Sequence, residues 1–179
     1  INTCLWYGDT VNADSASKMI LLNNFGFDGS LKHIVTPFLI GASMVTSYDS
    51  LYMIPEILSL LSKYNVTHVA AVPSLLNELV SCSAENEFRE FESVKCIMSG
   101  GESFRADQLY KLISSADHDI TIVNMYGPAE CACISSGCRI DMETLKSGDI
   151  SIGTPVWNKN IYIFDENGNI ADIGEQGMI

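Results

Sequence analysis

The chain of 179 residues is 47% hydrophobic and 18% charged, which suits the core of one medium-sized domain and excludes a disordered or collagen-like chain. Its 10 basic and 22 acidic residues give a formal net charge of −12, which disfavours nucleic acid as a partner because the surface repels polyphosphate. No apolar run reaches the roughly 18 residues of a membrane helix, and the N-terminus lacks a secretory pattern, so we expect no membrane partner and a cytoplasmic location.

From residue 19 to residue 125, short apolar runs alternate with helical patterns, as in a largely parallel sheet with crossover helices. Strands are predicted over Met19–Leu22, Ala42–Thr46, Val66–Val72, Val94–Met98 and Ile120–Met125. Helices are predicted over Ser30–Ile40, Pro55–Tyr64 and Pro73–Val80, with a fourth that Ser103 caps and that ends at Ser115.

After about residue 147 the pattern changes to short strands separated by turn residues. Strands are predicted at Ile150–Ile152 and Asn160–Phe164, and Asn167-Gly168 is a strong signal for a hairpin turn. The sequence therefore predicts an α/β fold, with a mainly parallel sheet flanked by helices and followed by short antiparallel β strands. We place a boundary at 145/146, between an α/β core segment and the start of an incomplete β-rich subdomain.

Ligands bind open α/β sheets at the carboxyl ends of the strands, so the loop that follows the strand ending at Met125 is a candidate site. Asn124 offers two donors and an acceptor, Tyr126 a flat ring, Gly127 with its proline a fixed turn, and Glu130 a carboxylate. Together these groups suit a purine, a phosphate and a metal ion. The alternative is an ordinary turn in which Tyr126 packs and Glu130 is solvated.

The pattern Asn-x-Tyr-Gly-Pro-x-Glu at residues 124–130 resembles the adenylate-binding motif of the adenylate-forming superfamily, above all the adenylation domains of nonribosomal peptide synthetases. Four further segments agree with that family in order and spacing. They are Phe25–Ser30 with the trailing Leu39–Ala42, the Gly-Gly-Glu loop of Ile97–Glu102, Ile152–Pro155, and Gly174-Glu175-x-Gly177. The resemblance spans nearly the whole chain.

The resemblance implies a nucleotide site for ATP or AMP with Mg²⁺. Gly101 and Glu102 would border the adenine, Asn124 would hydrogen-bond near its edge, and Tyr126 would stack on its face beside Gly127. Glu130 would hold Mg²⁺ at the triphosphate and is the predicted catalytic residue, since the metal and fixed dipoles must absorb negative charge as pyrophosphate leaves. Position 129 departs from the family, which often has threonine there, because Ala129 has no hydroxyl to donate to the α-phosphate.

In the resembling family an aspartate at the position of Asp28 accepts the α-ammonium of an amino acid substrate, which favours an amino acid over a fatty or aryl acid. The alternative is that Asp28 or Ser30 only caps the following helix. The remaining pocket positions that the resemblance implies are Gly29, Lys32, Ala70, Met98, Gly100, Met125, Cys133 and Ile134. Lys32 either pairs with an acidic or polar substrate side chain or lies on a solvated helix face.

Histidine and cysteine show no pattern of a metal site or a nucleophilic triad. The three histidines are scattered and are predicted to be surface or packing residues. The six cysteines form no C-x-x-C pair and are predicted to be reduced because nothing in the sequence indicates secretion; the alternative that their even number permits is disulfide pairing.

The resemblance implies a ligase that forms aminoacyl-AMP from ATP and an amino acid and passes the acyl group to the phosphopantetheine thiol of a peptidyl carrier domain. The family's phosphate loop is not found before Asp28, nor its catalytic lysine near the end, so we expect a middle piece of the large subdomain that is inactive alone. The alternatives are a piece of an acyl- or aryl-CoA ligase, a non-catalytic nucleotide-binding or docking module, and a doubly wound domain with unrelated ligand chemistry.

Overall fold

A central β-sheet organises the computed structural model, which describes residues 1–47, 53–102 and 107–179. In these ranges it has seven strands in the order β2-β1-β3-β4-β5-β6-β7. The strands are β1 Lys18–Ile20, β2 Ser43–Val45, β3 His68–Ala70, β4 Cys96–Gly100, β5 Thr121–Tyr126, β6 Ser136–Ile140 and β7 Thr154–Pro155. Strands β1 to β5 pair in parallel, whereas β6 and β7 pair antiparallel. The predicted fold class is therefore confirmed.

Helices cover both faces of the sheet, which explains why its central strands are apolar on both sides. They are α1 Asn2–Thr10, α2 Gly29–Ile40, α3 Ile54–Tyr64, α4 Pro73–Ser83, α5 Asp107–Ser115 and α6 Met142–Ser147. Alternation along β4 divides the core in two: Ile97 packs into the cluster with α3, α4 and α5, whereas Cys96 and Met98 pack into the cluster with α1. None of the helices within the three described ranges is long and apolar enough to cross a lipid bilayer.

Proline and glycine set the helix ends as the sequence predicts. Pro55 and Pro73 lie in the first turns of α3 and α4, where a missing N–H costs nothing. Gly41 ends α2 with φ of +72°, a left-handed conformation that favours glycine. The predicted cap Ser103 lies outside the described residues, and α5 ends at Ser115 as predicted.

Four elements are absent from the sequence-based prediction: α1, β6, α6 and the two-residue strand β7. Helix α1 has no clear apolar stripe in its sequence, although its residues Trp6 and Tyr7 are buried in the core. Strand β6 contains Ser, Gly, Cys and Arg rather than a run of β-branched residues, and its strand conformation comes from pairing with β5. The short α6 is capped by Asp141, whose carboxylate accepts a hydrogen bond from Thr144 N at 2.8 Å.

The predicted strands at Ile150–Ile152 and Asn160–Phe164 are wrong, since both segments are irregular apart from single bridges at Phe164. The hairpin signal marks a real turn, because Phe164 pairs antiparallel with Ile170 across Asn167-Gly168. These segments find too few backbone partners to form a ladder, which local β propensity does not reveal. The domain boundary at 145/146 stays a prediction.

Tyr7 provides a test of the smaller core cluster. The side chain is fully buried, and its hydroxyl has no hydrogen-bond partner among the described residues. Because an unpaired buried hydroxyl is unfavourable, Tyr7→Phe is expected to leave the free energy of unfolding unchanged or raise it by about 1 kcal/mol. Tyr7→Ala is expected to lower it by about 3–5 kcal/mol, because it leaves a cavity. Urea unfolding of both variants measures the difference, and a marked loss in Tyr7→Phe would show that the hydroxyl is bonded.

Candidate functional site

A cavity of about 520 Å³ opens at the carboxyl ends of the parallel strands. Four loops form its wall: residues 23–29 after β1, 70–72 at the end of β3, 99–101 at the end of β4, and the turn after β5 with Gly127 and Ala129. Parallel strands bring their carboxyl ends to one edge of the sheet, so loops that lie up to about a hundred residues apart in sequence meet there.

The start of α2 places a carboxylate in the cavity wall. Asp28 is the N-cap of α2, and its carboxylate accepts a hydrogen bond from Gly29 N at 2.8 Å. The same side chain is only partly exposed and lines the cavity. Capping the helix and facing a ligand are therefore compatible, because one carboxylate has acceptor capacity for both.

Lys32 lies one helical turn into α2, and its side chain enters the cavity rather than a solvated face. It is 8% exposed, and its Nζ donates a long hydrogen bond of 3.3 Å to the Gly29 carbonyl. Burial lowers the pKa of Lys32, while Cys133 and Asp28 partly oppose that change. A buried ammonium without a close carboxylate is a favourable site for an anionic group.

The rest of the wall is small or apolar. All nine positions for which the resemblance implies substrate contact line the cavity: Asp28, Gly29, Lys32, Ala70, Met98, Gly100, Met125, Cys133 and Ile134. Most of the apolar members belong to the cluster around α1. The cavity therefore has a charged side at α2 and an apolar side on β3, β4 and β5.

Two glycines allow neighbouring backbone segments to pass close to each other at the cavity wall. A Cβ at Gly100 would lie 2.2 Å from the carbonyl oxygen of Met125, and a Cβ at Gly127 would lie 2.5 Å from Ser135 N. Both distances are far below van der Waals contact with backbone atoms that have no free rotation. Glycine at these positions permits the pairing of β4 with β5 and the close return of the chain after β5.

The predicted nucleotide residues divide into two groups. Gly101, Gly127 and Ala129 line the cavity. The structure does not bring the side chains of the others into its wall: Glu102, Asn124, Tyr126 and Glu130.

Glu102 and Asn124 are held by partners within the fold. The Glu102 carboxylate accepts hydrogen bonds from the backbone N and the hydroxyl of Ser74, both at 3.1 Å, and so fixes the first turn of α4. Asn124 Nδ2 donates to the carbonyl of Ser151 at 2.8 Å. Because Asn124 alternates with Val123 and Met125, its side chain lies on the other face of β5.

Tyr126 and Glu130 are available to a ligand at the rim. Tyr126 ends β5 and is 40% exposed, and Glu130 is exposed on the 3₁₀ turn Ala129–Cys131. No group of three or more His, Cys, Asp or Glu side chains within the described ranges is placed to hold a metal ion. A single carboxylate nevertheless fits Mg²⁺ that takes its remaining ligands from phosphate and water, as this ion commonly does.

His33 and Asn23 also line the cavity and were not predicted from the sequence. His33 is 2% exposed and packs edge-on against the Tyr7 ring at 5.7 Å between centroids. Burial and then the Lys32 charge hold the pKa of His33 well below its usual value, so the ring is neutral. The helical spacing of Gly29, Lys32 and His33 on one face of α2 was the available signal.

The order of the motifs, the mainly parallel sheet and the cavity at the carboxyl ends of its strands define an α/β protein with a candidate ligand site at the edge of the sheet. A family model described as AMP-binding enzyme matches residues 1–179, and the chain belongs to that family. The predicted resemblance to nonribosomal peptide synthetases is confirmed, since the curated proteins that the chain resembles include the non-canonical nonribosomal peptide synthetase hkm10 of Aspergillus hancockii, with 29% identity over 158 residues that cover 88% of this chain and 15% of that protein.

Among curated proteins, the chain is 27% identical over 182 residues to indigoidine synthase of Dickeya dadantii (strain 3937), covering 100% of this chain and 12% of that protein. Among solved structures, it resembles the nonribosomal peptide synthetase FmoA3, with a TM-score of 0.84, 23% identity, and coverage of 93% of this chain and 18% of that one. It also resembles NpsA-ThdA, an artificially fused adenylation-PCP di-domain from Klebsiella oxytoca, with a TM-score of 0.81, 19% identity, and coverage of 98% and 35%. The chain thus spans a small part of its relatives, and these structural likenesses show the fold.

Proposed function

We propose that this chain forms the acid-binding pocket and part of the nucleotide rim of an ATP-dependent adenylate-forming ligase that activates an amino acid. The reaction joins the substrate carboxylate to the α-phosphate of ATP, giving aminoacyl-AMP and releasing pyrophosphate. The observation that carries the proposal is that the loops around Asp28, Gly101 and Gly127 meet in one cavity at one edge of the sheet. Membership in the AMP-binding enzyme family supports the nucleotide.

The acid side of the cavity suits a zwitterion. Asp28 is a partly buried carboxylate, and an α-ammonium group that binds it would satisfy a charge that is otherwise costly to bury. The apolar wall of β3 to β5 excludes water from the other side of the substrate. A fatty or aryl acid would leave Asp28 without a cation.

The nucleotide side is formed by backbone at Gly101, Gly127 and Ala129, with the exposed ring of Tyr126 next to them. An adenine can stack on that ring. Glu102 and Asn124 would act by holding the loops in place, since their side chains already bind Ser74 and Ser151. At Ala129 only the backbone can contact the α-phosphate.

Glu130 is the residue that would hold Mg²⁺. When bound, the ion supplies positive charge at the phosphate oxygens as pyrophosphate leaves. Glu130 is exposed on a short turn beside the rim. Its carboxylate therefore needs no partner within the protein and is available to the ion.

The second half-reaction would transfer the acyl group to the phosphopantetheine thiol of a carrier domain, forming a thioester and releasing AMP. The fused adenylation-PCP di-domain among the structural neighbours supports such a partner. A cytoplasmic location, where ATP is available, belongs to the same proposal.

ATP–pyrophosphate exchange by the intact protein that contains this chain tests the proposal. We expect exchange with at least one α-amino acid. Exchange only with fatty or aryl acids would replace the proposal with an acyl- or aryl-CoA ligase. AMP binding in calorimetry without exchange for any acid would indicate a non-catalytic nucleotide-binding module.

Glu130→Gln is expected to lower exchange by at least about tenfold at limiting Mg²⁺, because a neutral amide is a much weaker ligand for a hard cation. The loss should be partly reversed at high Mg²⁺, which separates a metal role from a structural one. Glu143→Gln is the matched control, since Glu143 is also exposed but lies on α6 and outside the cavity wall. A Glu130→Gln enzyme with the unchanged Mg²⁺ dependence of the wild type would exclude Glu130 as a metal ligand.

A further inference from the structure

The cavity contains one charged group that activation of an amino acid does not itself require. Lys32 is the sole lysine or arginine in the wall of the cavity as formed by the described residues, and Asp28 is its sole carboxylate. Asp28 and Lys32 both lie at the N-terminal end of α2, and the opposite wall of the cavity is apolar. An α-amino acid with an uncharged side chain would use Asp28 and leave the buried ammonium of Lys32 unmatched.

We propose that the cavity selects an amino acid whose side chain ends in a carboxylate, and that this carboxylate pairs with Lys32. The inference rests on the proposed function and adds the substrate class. Aspartate, glutamate and their longer homologues carry the ammonium and the second carboxylate that the two charged side chains of the cavity complement.

No carboxylate among the described residues forms an ion pair with the Lys32 ammonium. In the part of the chain that the structure describes, no carboxylate lies within 4.0 Å of its Nζ, and its hydrogen bond to the Gly29 carbonyl is long at 3.3 Å. The Asp28 carboxylate is engaged by Gly29 N at 2.8 Å. Burying an unpaired ammonium is costly, and a carboxylate from the ligand would remove much of that cost.

A second donor lies beside the ammonium. A Cβ built on Gly29 would be 3.0 Å from Asn23 Nδ2 and 3.3 Å from Lys32 Nζ, so both nitrogens approach the same side of this glycine. Both side chains line the cavity. An ammonium and a primary amide can donate to the two oxygens of one carboxylate, and the missing side chain of Gly29 leaves the approach to them open.

Neither His33 nor Cys133, the two other titratable side chains among the described residues of the cavity wall, adds competing charge, since burial raises the pKa of the Cys133 thiol. His33 is neutral because burial and the nearby Lys32 charge hold its pKa well below its usual value. The local charge balance is therefore one cation against one anion, which matches a ligand with one ammonium and one distal carboxylate. A lysine or arginine substrate would place a second cation against Lys32 and is disfavoured.

The experiment compares isosteric substrates in ATP–pyrophosphate exchange by the intact protein: glutamate with glutamine, aspartate with asparagine, and leucine as the uncharged reference. We expect kcat/KM for an acidic amino acid to exceed that of its amide by at least about tenfold. Lys32→Met should lower the value for the acidic substrate by about tenfold or more and so lower the ratio of the value for the acidic substrate to the value for leucine. Lys111→Met is the control, since Lys111 is exposed on α5 and remote from the cavity wall.

Lys32→Met keeps the length and apolar stem of the side chain, so it should fold, and replacing a buried charge with methionine is often neutral or stabilising. Gly29→Ala is a second variant, which places a methyl group against Asn23 and Lys32 and should reduce use of the acidic substrate with the lysine intact.

The outcomes separate the inference from the proposed function. Exchange that favours glutamine, asparagine or leucine over the acidic amino acids overturns the inference and leaves the ligase in place. Calorimetric binding of an acidic amino acid that Lys32→Met abolishes, with no exchange for any acid, supports the inference and overturns the ligase. If an acidic amino acid shows neither binding nor exchange, the inference is overturned. Exchange with the other acids then decides whether the proposed ligase function stands.

Discussion

Asp28→Asn is expected to lower kcat/KM for the amino acid by at least about 30-fold in exchange, while the KM for ATP stays within about twofold of the wild-type value. The variant removes the negative charge that the α-ammonium would meet. It keeps an oxygen that can accept the hydrogen bond from Gly29 N, and asparagine is as good an N-cap as aspartate. The loss should therefore appear in substrate use rather than in folding.

Two further variants separate the two roles of this residue. Asp28→Ala removes both the charge and the cap, so it should lose substrate use and also about 1 kcal/mol of stability. Asp141→Asn is the matched control, because Asp141 also caps a helix, accepts from Thr144 N at 2.8 Å and lies outside the cavity wall. Amino acid use by Asp28→Asn equal to that of Asp141→Asn would contradict the proposed ammonium site.

Gly100→Ala is expected to lower the free energy of unfolding by about 1–3 kcal/mol or more and to reduce exchange with every acid. The added Cβ would lie 2.2 Å from the carbonyl oxygen of Met125, its partner in the β4–β5 register. That oxygen belongs to the backbone of the adjacent strand, so relief requires the two strands to move apart at the cavity wall. Urea unfolding and exchange measure the two effects.

Gly26→Ala is the control for this effect. A Cβ at Gly26 meets the side-chain oxygen of Asn24 at 3.4 Å, which is ordinary contact with a side chain. Its unfolding free energy should stay within about 0.5 kcal/mol of the wild type. If Gly100→Ala were as stable as Gly26→Ala, the β4–β5 contact would be looser than the structure shows.

The sequence was informative where local patterns suffice. Apolar periodicity and prolines located α3 and α4, and apolar runs located β1 to β5. For α2 the apolar spacing located the helix but not its buried face: Leu31 and Phe38 are 60% and 76% exposed, whereas Lys32 and His33 are buried. A helical period gives the spacing of a face and does not say which face packs on the sheet.

The order of short motifs along the chain was enough to recognise the family and to nominate Asp28 and Gly127, because each motif is contiguous. The order of the motifs could not predict the hydrogen-bond partners of Glu102 and Asn124, since Ser74 lies 28 residues from Glu102 and Ser151 lies 27 residues from Asn124. Whether a polar side chain meets a ligand or another residue depends on strand order and on the face of the strand it occupies. Those follow from the packing of the whole sheet, and the burial of Lys32 beside the cavity is a result of the same packing.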